Sequence, residues 1–156
     1  MGRQHIEVEA TTTADPGTVY ALLRDGATWP AWSPLGSFAL ERPGEDEPEG
    51  LGAVRVFRTG RFTSREEIVE LRPDRRFSYV LLSGLPLRGY RADVDLTPVE
   101  EGAGGTRIRW HSAFDAKLPG TGGLFRRRLG AFIEELVQGL ATRAAADAGV
   151  SAHAGR

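Results

Sequence analysis

Arg65 and Glu67 stand two positions apart in a stretch of alternating sequence. Residues two apart on a β-strand point to the same face, so a guanidinium and a carboxyl group can lie side by side there. A carboxylate can remove a proton next to a carbonyl group, and a cationic donor can polarise the carbonyl oxygen. The pair is therefore a candidate for acid–base catalysis. The alternative interpretation is an ion pair on a strand surface, which contributes little to stability.

Aromatic side chains with one polar group are a second set of candidates. Tyr79, Tyr90 and Trp110 can each orient a ligand through a hydroxyl or an indole N–H in a mostly apolar pocket, or they can be ordinary core residues. Trp29 and Trp32 flank Pro30 and Ala31 in the segment TWPAW. They can guard the entrance of a pocket or fasten a helix to a sheet, and the sequence leaves both interpretations open.

Other kinds of reactive site have weak support. The chain has no cysteine, which excludes disulfides and thiolate catalysis. The three histidines, His5, His111 and His153, are too scattered to predict a metal site or a catalytic triad. We predict no metal and no cofactor. The glycine-rich segment 120–123 lacks the lysine and hydroxyl residue of a phosphate-binding loop, so we interpret it as a hinge or lid.

The composition indicates one soluble globular domain, with 156 residues, 40% of them apolar and 26% charged. A formal net charge of −1 provides no overall field that attracts nucleic acid. The N-terminus lacks the apolar stretch of a signal peptide, and no run approaches 18 apolar residues. We expect a cytoplasmic protein that binds no nucleic acid and does not integrate into a membrane. Whether it forms a homodimer, the commonest symmetric assembly, stays open.

Hydrophobic periodicity predicts seven strands and one long amphipathic helix. Asp15 and Pro16 have the properties of a helix start, so a helix to about Asp25 and a further turn at 27–32 separate the first strand from the others. The long helix is predicted from Leu124 to about Ala146. Its basic run 126–128 is interpreted as a solvated face, with contact to anionic lipid as the alternative. The predicted strands are 5–13, 35–41, 52–59, 61–71, 76–83, 90–97 and 106–115.

The long helix and the sheet must cover each other, because nothing else in the chain can bury their apolar faces. Strand alternation assigns one set of side chains to the inner face: Val69, Leu71, Phe77, Tyr79, Leu81, Tyr90, Ala92, Val94, Leu96, Ile108, Trp110 and Phe114. It assigns a polar set to the outer face: Glu66, Glu70, Ser78, Arg91, Asp93, Asp95, Arg107, Arg109 and His111. The interior is then either a solid core or a cavity.

The fourth strand departs from this simple alternation. Continued backwards from Val69, it places Glu67, Arg65 and Thr63 on the inner face. Burying an unpaired charge is costly, so these side chains either lie at a solvated mouth or pair with each other across a cavity.

Several segments occur in an order that is familiar from one protein family. They are Ala14-Asp15-Pro16 with 19–23 after it, Thr28–Trp32, Glu67–Leu71 before Pro73, Gly105–Trp110 with Phe114-Asp115, and Pro119-Gly120 before the last helix. Together, over residues 4–146, they resemble the START/Bet v1-like superfamily and its polyketide cyclase/dehydrase and lipid-transport family. The resemblance implies an α+β helix-grip fold, in which a seven-stranded curved antiparallel sheet wraps around a long C-terminal helix. Two short helices lie between strands 1 and 2. We expect this domain over residues 1–147, followed by a flexible tail, 148–156.

The resemblance also implies a deep cavity for a hydrophobic small molecule such as a lipid or polyketide, held by a carrier, sensor or pathway protein. In the family's aromatase/cyclases, a tryptophan of the Trp-Pro pair and inward residues of the fourth strand line the pocket. This marks Trp29, Arg65, Glu67 and Val69, although those enzymes carry aromatic residues where this chain has Arg and Glu. The predicted ligand-binding set is Trp29, Trp32, Val69, Tyr79, Leu81, Tyr90, Ala92, Trp110, Phe125 and Phe132.

Two other functions remain open alternatives. The first is a polyketide aromatase/cyclase or dehydratase that uses Glu67 and Arg65 as catalytic residues. The second is a protein-interaction module whose interior is filled.

Overall fold

The computed structural model describes residues 2–102 and 104–154, which form one sheet and three α-helices. The strands are β1 (Gln4–Thr12), β2 (Ser37–Arg42), β3 (Val54–Thr59), β4 (Phe62–Arg72), β5 (Arg76–Ser83), β6 (Leu87–Pro98) and β7 (Thr106–Ala116). The helices are α1 (Pro16–Arg24), α2 (Trp29–Trp32) and α3 (Gly122–Ala154), and a 3₁₀ turn, Gly26–Thr28, leads into α2.

All seven strands belong to one antiparallel sheet in the order β1-β7-β6-β5-β4-β3-β2. Every neighbouring pair except β1 and β7 is also consecutive in the chain, as expected for strands joined by short turns. Helix α3 packs against β1, β7, α1 and α2. The predicted α+β helix-grip fold, with seven strands and two short helices between β1 and β2, is confirmed.

Side chains form hydrogen bonds with the backbone at both ends of helix α1. At its start, the Asp15 carboxylate accepts a hydrogen bond from the backbone N–H of Thr18 at 2.7 Å, which also lowers the pKa of Asp15. At its end, Nη2 of Arg55 donates to the carbonyl oxygens of Leu23 and Arg24, both at 2.8 Å. Arg55 thus binds two of the carbonyl groups that a helix end leaves without partners.

The second half of α3 forms a solid core with the sheet and α1. Its inward side chains have no exposed surface: Val137, Leu140 and Ala144. Gly139 lies against the backbone carbonyl of Trp32, and a Cβ atom at this position would collide with that oxygen. The glycine therefore allows α3 to approach α2 closely.

Helix α3 extends beyond residue 147, where the domain was expected to end, and beyond the helix end expected near Ala146. The helix continues to Ala154, so the backbone of 148–154, expected as a flexible tail, is helical. The segment from Ala144 to Ala148 is rich in alanine, which has the highest helix propensity. An ion pair between Arg143 and Asp147, four residues apart at 3.0 Å, adds a favourable contact on the helix surface. The last two residues of the expected tail lie outside the described residues.

Strand β4 contains the main correction to the predicted faces. The pairing of β4 with β5 runs Ile68 to Tyr79 and then Glu70 to Ser78, so Val69 is the extra residue of a β-bulge. A second irregularity falls between Arg65 and Glu66. Because one extra residue reverses the alternation, the prediction that Glu66 faces outward and Glu67 inward was wrong.

Candidate functional site

A cavity of about 610 Å³ lies between strands β3–β6 and the first half of α3. Among the described residues that line it, only Glu66 has a carboxyl group and only Arg128 has a basic side chain. Apolar side chains from α3 and the sheet form most of its wall, among them Phe57, Leu81, Phe125, Leu129 and Phe132. The volume and the apolar lining are in the range of small-molecule binding pockets, which hold roughly 300–1,000 Å³.

The mouth of the cavity lies where two loops meet the start of α3. The β3–β4 hairpin contributes Phe62, and α3 contributes Arg128. Both side chains are exposed and both border the cavity, so it opens to solvent at this end. Gly84, in the β5–β6 loop, has a φ of 124°, and a Cβ there would collide with the carbonyl oxygen of Thr63. The glycine allows this loop to lie directly against the hairpin.

Trp29 forms the rigid inner wall. Its side chain is 1% exposed, and its ring stacks on Phe57 with centroids 5.2 Å apart and meets the edge of Tyr79 at 6.3 Å. The indole N–H donates to the carbonyl oxygen of Leu23 at 3.1 Å, so the polar group of Trp29 is already bonded within the fold. Trp29 can therefore offer a ligand an aromatic surface, while hydrogen bonding has to come from other residues.

Glu66 supplies an ionisable group to this apolar space. It lies on the cavity wall next to Leu81, which is its cross-strand partner on β5. Burial raises the pKa of Glu66 to about 7, because the surroundings disfavour the charged form, and the positive charge of Arg55 opposes that rise. At neutral pH the carboxyl group can therefore act as a hydrogen-bond donor or as a base.

Arg55 and Glu66 are cross-strand partners with unused hydrogen-bonding capacity. Arg55 is 1% exposed; its Nη2 atom binds Glu49 at 2.9 Å, and its guanidinium lies over the rings of Trp29 and Phe77. Burial lowers the pKa of Arg55 to about 10, so it stays positively charged at neutral pH. Oε1 of Glu66 and the Nε and Nη1 atoms of Arg55 have no hydrogen-bond partner in the described part of the chain. Buried polar groups in this state are uncommon and favour a bound partner.

Tyr79 and Tyr90 extend the polar part of the wall. Their rings lie 6.4 Å apart, and both residues line the cavity. Burial raises the pKa of Tyr79 well above its usual value and that of Tyr90 to about 12, so both stay protonated at neutral pH. Glu66 and the two hydroxyls thus give the sheet side of a mostly apolar space three hydrogen-bonding groups.

The structure separates the predicted ligand-binding residues into two groups. Six of them line the cavity: Trp29, Tyr79, Leu81, Tyr90, Phe125 and Phe132. Four do not: Trp32, Val69, Ala92 and Trp110. Trp110 and Ala92 are fully buried in the solid core, Val69 is the bulged residue, and the indole N–H of Trp32 donates to Thr28 within the α2 turn. Whether the first six contact a ligand stays a prediction.

Arg65 and Glu67 do not meet in the interior. Arg65 forms a two-pronged ion pair with Glu41 of β2, with N–O distances of 2.6 and 2.7 Å, and Glu67 lies 3.5 Å from Arg42. Neither residue lines the cavity. The bulge at Val69 is the physical reason, because it turns both side chains to the outer face. The expected inward position of this pair was wrong, and its proposed catalytic role loses its geometric basis.

Three residues of the site were not predicted from the sequence: Glu66, Arg55 and Phe57. One signal for Glu66 was available: two glutamates in succession, Glu66 and Glu67, place one carboxyl group on the inner face whichever way the strand is registered. Arg55 gave no comparable signal, because an arginine in a strand is ordinarily an outward residue.

Two further findings concern the described residues. No three His, Asp or Glu side chains among them come close enough together to hold a metal ion. None of the helices in 2–102 and 104–154 combines the length and the apolar character needed to cross a bilayer.

Comparison with known proteins places this architecture in a family. The family model described as polyketide cyclase / dehydrase and lipid transport matches residues 3–146. The chain belongs to this polyketide cyclase/dehydrase and lipid-transport family. The resemblance predicted from the sequence segments is thereby confirmed. A search of curated protein sequences found no match to the chain.

Solved structures support the fold assignment of this polyketide cyclase/dehydrase family member. A START superfamily protein from Mycobacterium smegmatis matches with a TM-score of 0.77 and 15% identity, covering 92% of this chain and 97% of the other. XoxI from Bacillus cereus matches with a TM-score of 0.70 and 14% identity over 92% and 95%. Ara h 8.0201 matches with a TM-score of 0.71 and 17% identity over 92% and 98%. At these identities the likeness concerns the START/Bet v1-like fold.

Proposed function

We propose that the protein binds an apolar small molecule in the cavity, with a hydrogen-bonding oxygen of the ligand directed at Glu66. The observation that carries the proposal is the mostly apolar space of about 610 Å³ with a buried carboxyl group on its wall. A neutral Glu66 can donate to a carbonyl oxygen, and the tyrosine hydroxyls beside it can donate or accept. Lipids and polyketides, which the family description names, combine long apolar parts with such oxygens.

Arg55 supports this interpretation of Glu66. Its positive charge lies on the neighbouring strand and limits how far the pKa of Glu66 rises, so both protonation states of the carboxyl group are accessible near neutral pH. A ligand that accepts a hydrogen bond favours the protonated form, and one that donates favours the ionised form. We therefore expect the affinity for a carbonyl-containing ligand to decline as the pH rises through about 7.

The cavity can be tested with a neutral fluorescent probe, N-phenyl-1-naphthylamine, in fluorescence titrations of the purified protein. The change Leu81→Trp fills space inside the cavity, whereas Leu82→Trp adds the same ring at the next residue of β5, which is 43% exposed. We expect the wild type and Leu82→Trp to bind the probe with similar affinity and Leu81→Trp to bind roughly tenfold or more weakly. Equal affinity in all three proteins would contradict binding in the cavity. Native mass spectrometry of the purified protein then identifies any ligand that co-purifies.

A second function has a specific observation in its favour. A carboxyl group with a pKa of about 7 in an apolar space, beside tyrosine hydroxyls, is suited to remove a proton next to a carbonyl group. In such a cyclase or dehydratase, Glu66 would be the base and Tyr79 or Tyr90 would donate a hydrogen bond to the developing oxyanion. This candidate replaces the pair Arg65 and Glu67.

Deuterium exchange distinguishes the enzyme from the carrier. The probe is 1-phenylbutane-1,3-dione in D₂O, whose methylene protons exchange after removal by a base and are measured by NMR. An enzyme should accelerate exchange above the buffer rate in the wild type and in Glu67→Gln, and lose the acceleration in Glu66→Gln. A carrier should bind the dione without any acceleration.

A further inference from the structure

The residues around the cavity mouth are strongly basic. We define the rim as segments 58–64, 84–88 and 117–129, which contain the hairpin, the loop and the start of α3 that border the opening. The rim has seven Arg and Lys residues and no Asp or Glu, in a chain whose formal net charge is −1. These seven residues are all exposed: Arg58, Arg61, Arg88, Lys117, Arg126, Arg127 and Arg128.

Within the described part of the chain, the cationic groups of the rim form no ion pair. No carboxylate among the described residues lies within 4.0 Å of any of the seven cationic groups. The outer face of the sheet differs, because Arg76 and Arg91 there bind Asp95, Asp93 and Glu70 at 2.6 to 3.6 Å. One end of the molecule therefore has an unpaired positive surface, which favours a partner with negative charge.

The rim also carries exposed apolar side chains. Phe62, Leu118 and Leu124 are 66%, 57% and 49% exposed, the highest values among the large apolar residues that the structure describes. Phe62 comes from the hairpin, whereas Leu118 and Leu124 come from segment 117–129. Leu124 lies three and four positions before Arg127 and Arg128, on the same side of α3. Arginine side chains around separate large apolar residues are the pattern of a surface that lies in a membrane interface.

We propose that the rim docks onto a bilayer surface rich in anionic lipid, with the mouth of the cavity facing the membrane. The arginine and lysine side chains bind lipid phosphates, and Phe62, Leu118 and Leu124 enter the headgroup region. A bilayer fits the apolar residues better than an acidic protein does, because three side chains spread around an opening can enter a fluid interface independently. This proposal concerns the outside of the mouth and does not depend on which molecule the cavity holds.

Vesicle sedimentation tests the proposal with the full chain. The probes are vesicles of phosphatidylcholine alone and vesicles of phosphatidylcholine with 30% phosphatidylglycerol, each at roughly 50 and 300 mM salt. We expect binding to the anionic vesicles at low salt, little binding to phosphatidylcholine alone, and a clear decrease at high salt. The rim variant Arg126→Gln/Arg127→Gln should bind the anionic vesicles roughly tenfold or more weakly. The matched control, Arg75→Gln/Arg107→Gln, removes the same charge from exposed arginines at the other end of the sheet and should bind like the wild type.

A second variant tests the apolar part of the rim without changing its charge. Leu118→Gln/Leu124→Gln alters two exposed residues outside the core and should reduce binding several-fold. Equal binding to both kinds of vesicle, or equal losses in the rim and control arginine variants, would overturn the proposal. Unchanged binding in the leucine variant would also overturn it, since simple charge attraction would then suffice. Retention on immobilised poly-L-glutamate without binding to anionic vesicles would indicate an acidic protein as the partner instead.

Discussion

The two halves of helix α3 cover the same sheet in different ways. The second half, from Val137, places its inward side chains directly on β1, β7 and α1, and they are almost completely buried. The first half holds Phe125, Leu129 and Phe132 at the wall of a cavity, where they are only partly buried. Small residues in the second half, such as Gly139 and Ala144, allow close packing. In the first half, large side chains face the cavity instead. One helix thus combines a structural segment with a segment suited to binding.

The two halves should differ most in how much free energy of unfolding is lost when one of their large side chains is truncated to alanine. Leu140 is fully buried, and Leu140→Ala should lower the free energy of unfolding by about 3 to 5 kcal/mol, because it leaves a new void in a packed core. Phe132→Ala removes a larger side chain but enlarges a space that already exists, so we expect a loss of about 1 kcal/mol. Urea unfolding followed by tryptophan fluorescence measures both. Equal losses would mean that the first half is packed as tightly as the second.

Glu66 should make the stability of the cavity region depend on pH. Its pKa in the folded protein, about 7, is above the ordinary value of 4.5, so the folded protein binds more protons than the unfolded chain between these values. The stability that Glu66 contributes is therefore greatest below pH 4.5 and declines as the pH rises towards 7. The full change corresponds to roughly 3 kcal/mol as an upper value.

The change Glu66→Gln removes this titration. We expect the variant to match the wild type near pH 4.5 and to be more stable at pH 8, by up to roughly 3 kcal/mol, while Arg55 keeps Glu49 as its partner. The matched control is Glu67→Gln on the outer face, which should follow the wild type to within about 0.5 kcal/mol. Urea unfolding of all three proteins between pH 4.5 and 8 measures the difference. A constant difference between the wild type and Glu66→Gln across this range would contradict the raised pKa.

The fold could be predicted from local patterns in the sequence. Alternation of period two gave the strands, the Asp15-Pro16 pair gave the start of α1, and a single apolar stripe gave α3. These features are local, so each could be recognised without knowledge of the rest of the chain. The boundaries of β5 matched the prediction at both ends, and the other strands differed by a few residues.

The site was harder to predict because it depends on register and on volume. Val69 is apolar and fits either face of a strand, so nothing local identifies it as a bulge. Because the bulge was not predicted, Glu67 was assigned to the inner face in place of Glu66. The predicted acid–base pair, Arg65 and Glu67, was therefore placed on the wrong face of the strand. The choice between a solid core and a cavity depends on the summed volumes of side chains from distant segments, which no short pattern contains.

Two glycines of α3, one in each half, should show the smallest change in stability when each is replaced by alanine. Gly139 has no space for a Cβ against the carbonyl oxygen of Trp32, so Gly139→Ala must push α3 away from α2 and should destabilise the protein by about 2 kcal/mol. Gly130 lies in the first half of the helix with nothing within 4 Å of an added Cβ. There Gly130→Ala should stabilise the protein by about 0.5 to 1 kcal/mol through helix propensity. Thermal unfolding should therefore show shifts of opposite sign. A stabilising Gly139→Ala would mean that the close contact between α3 and α2 is absent in solution.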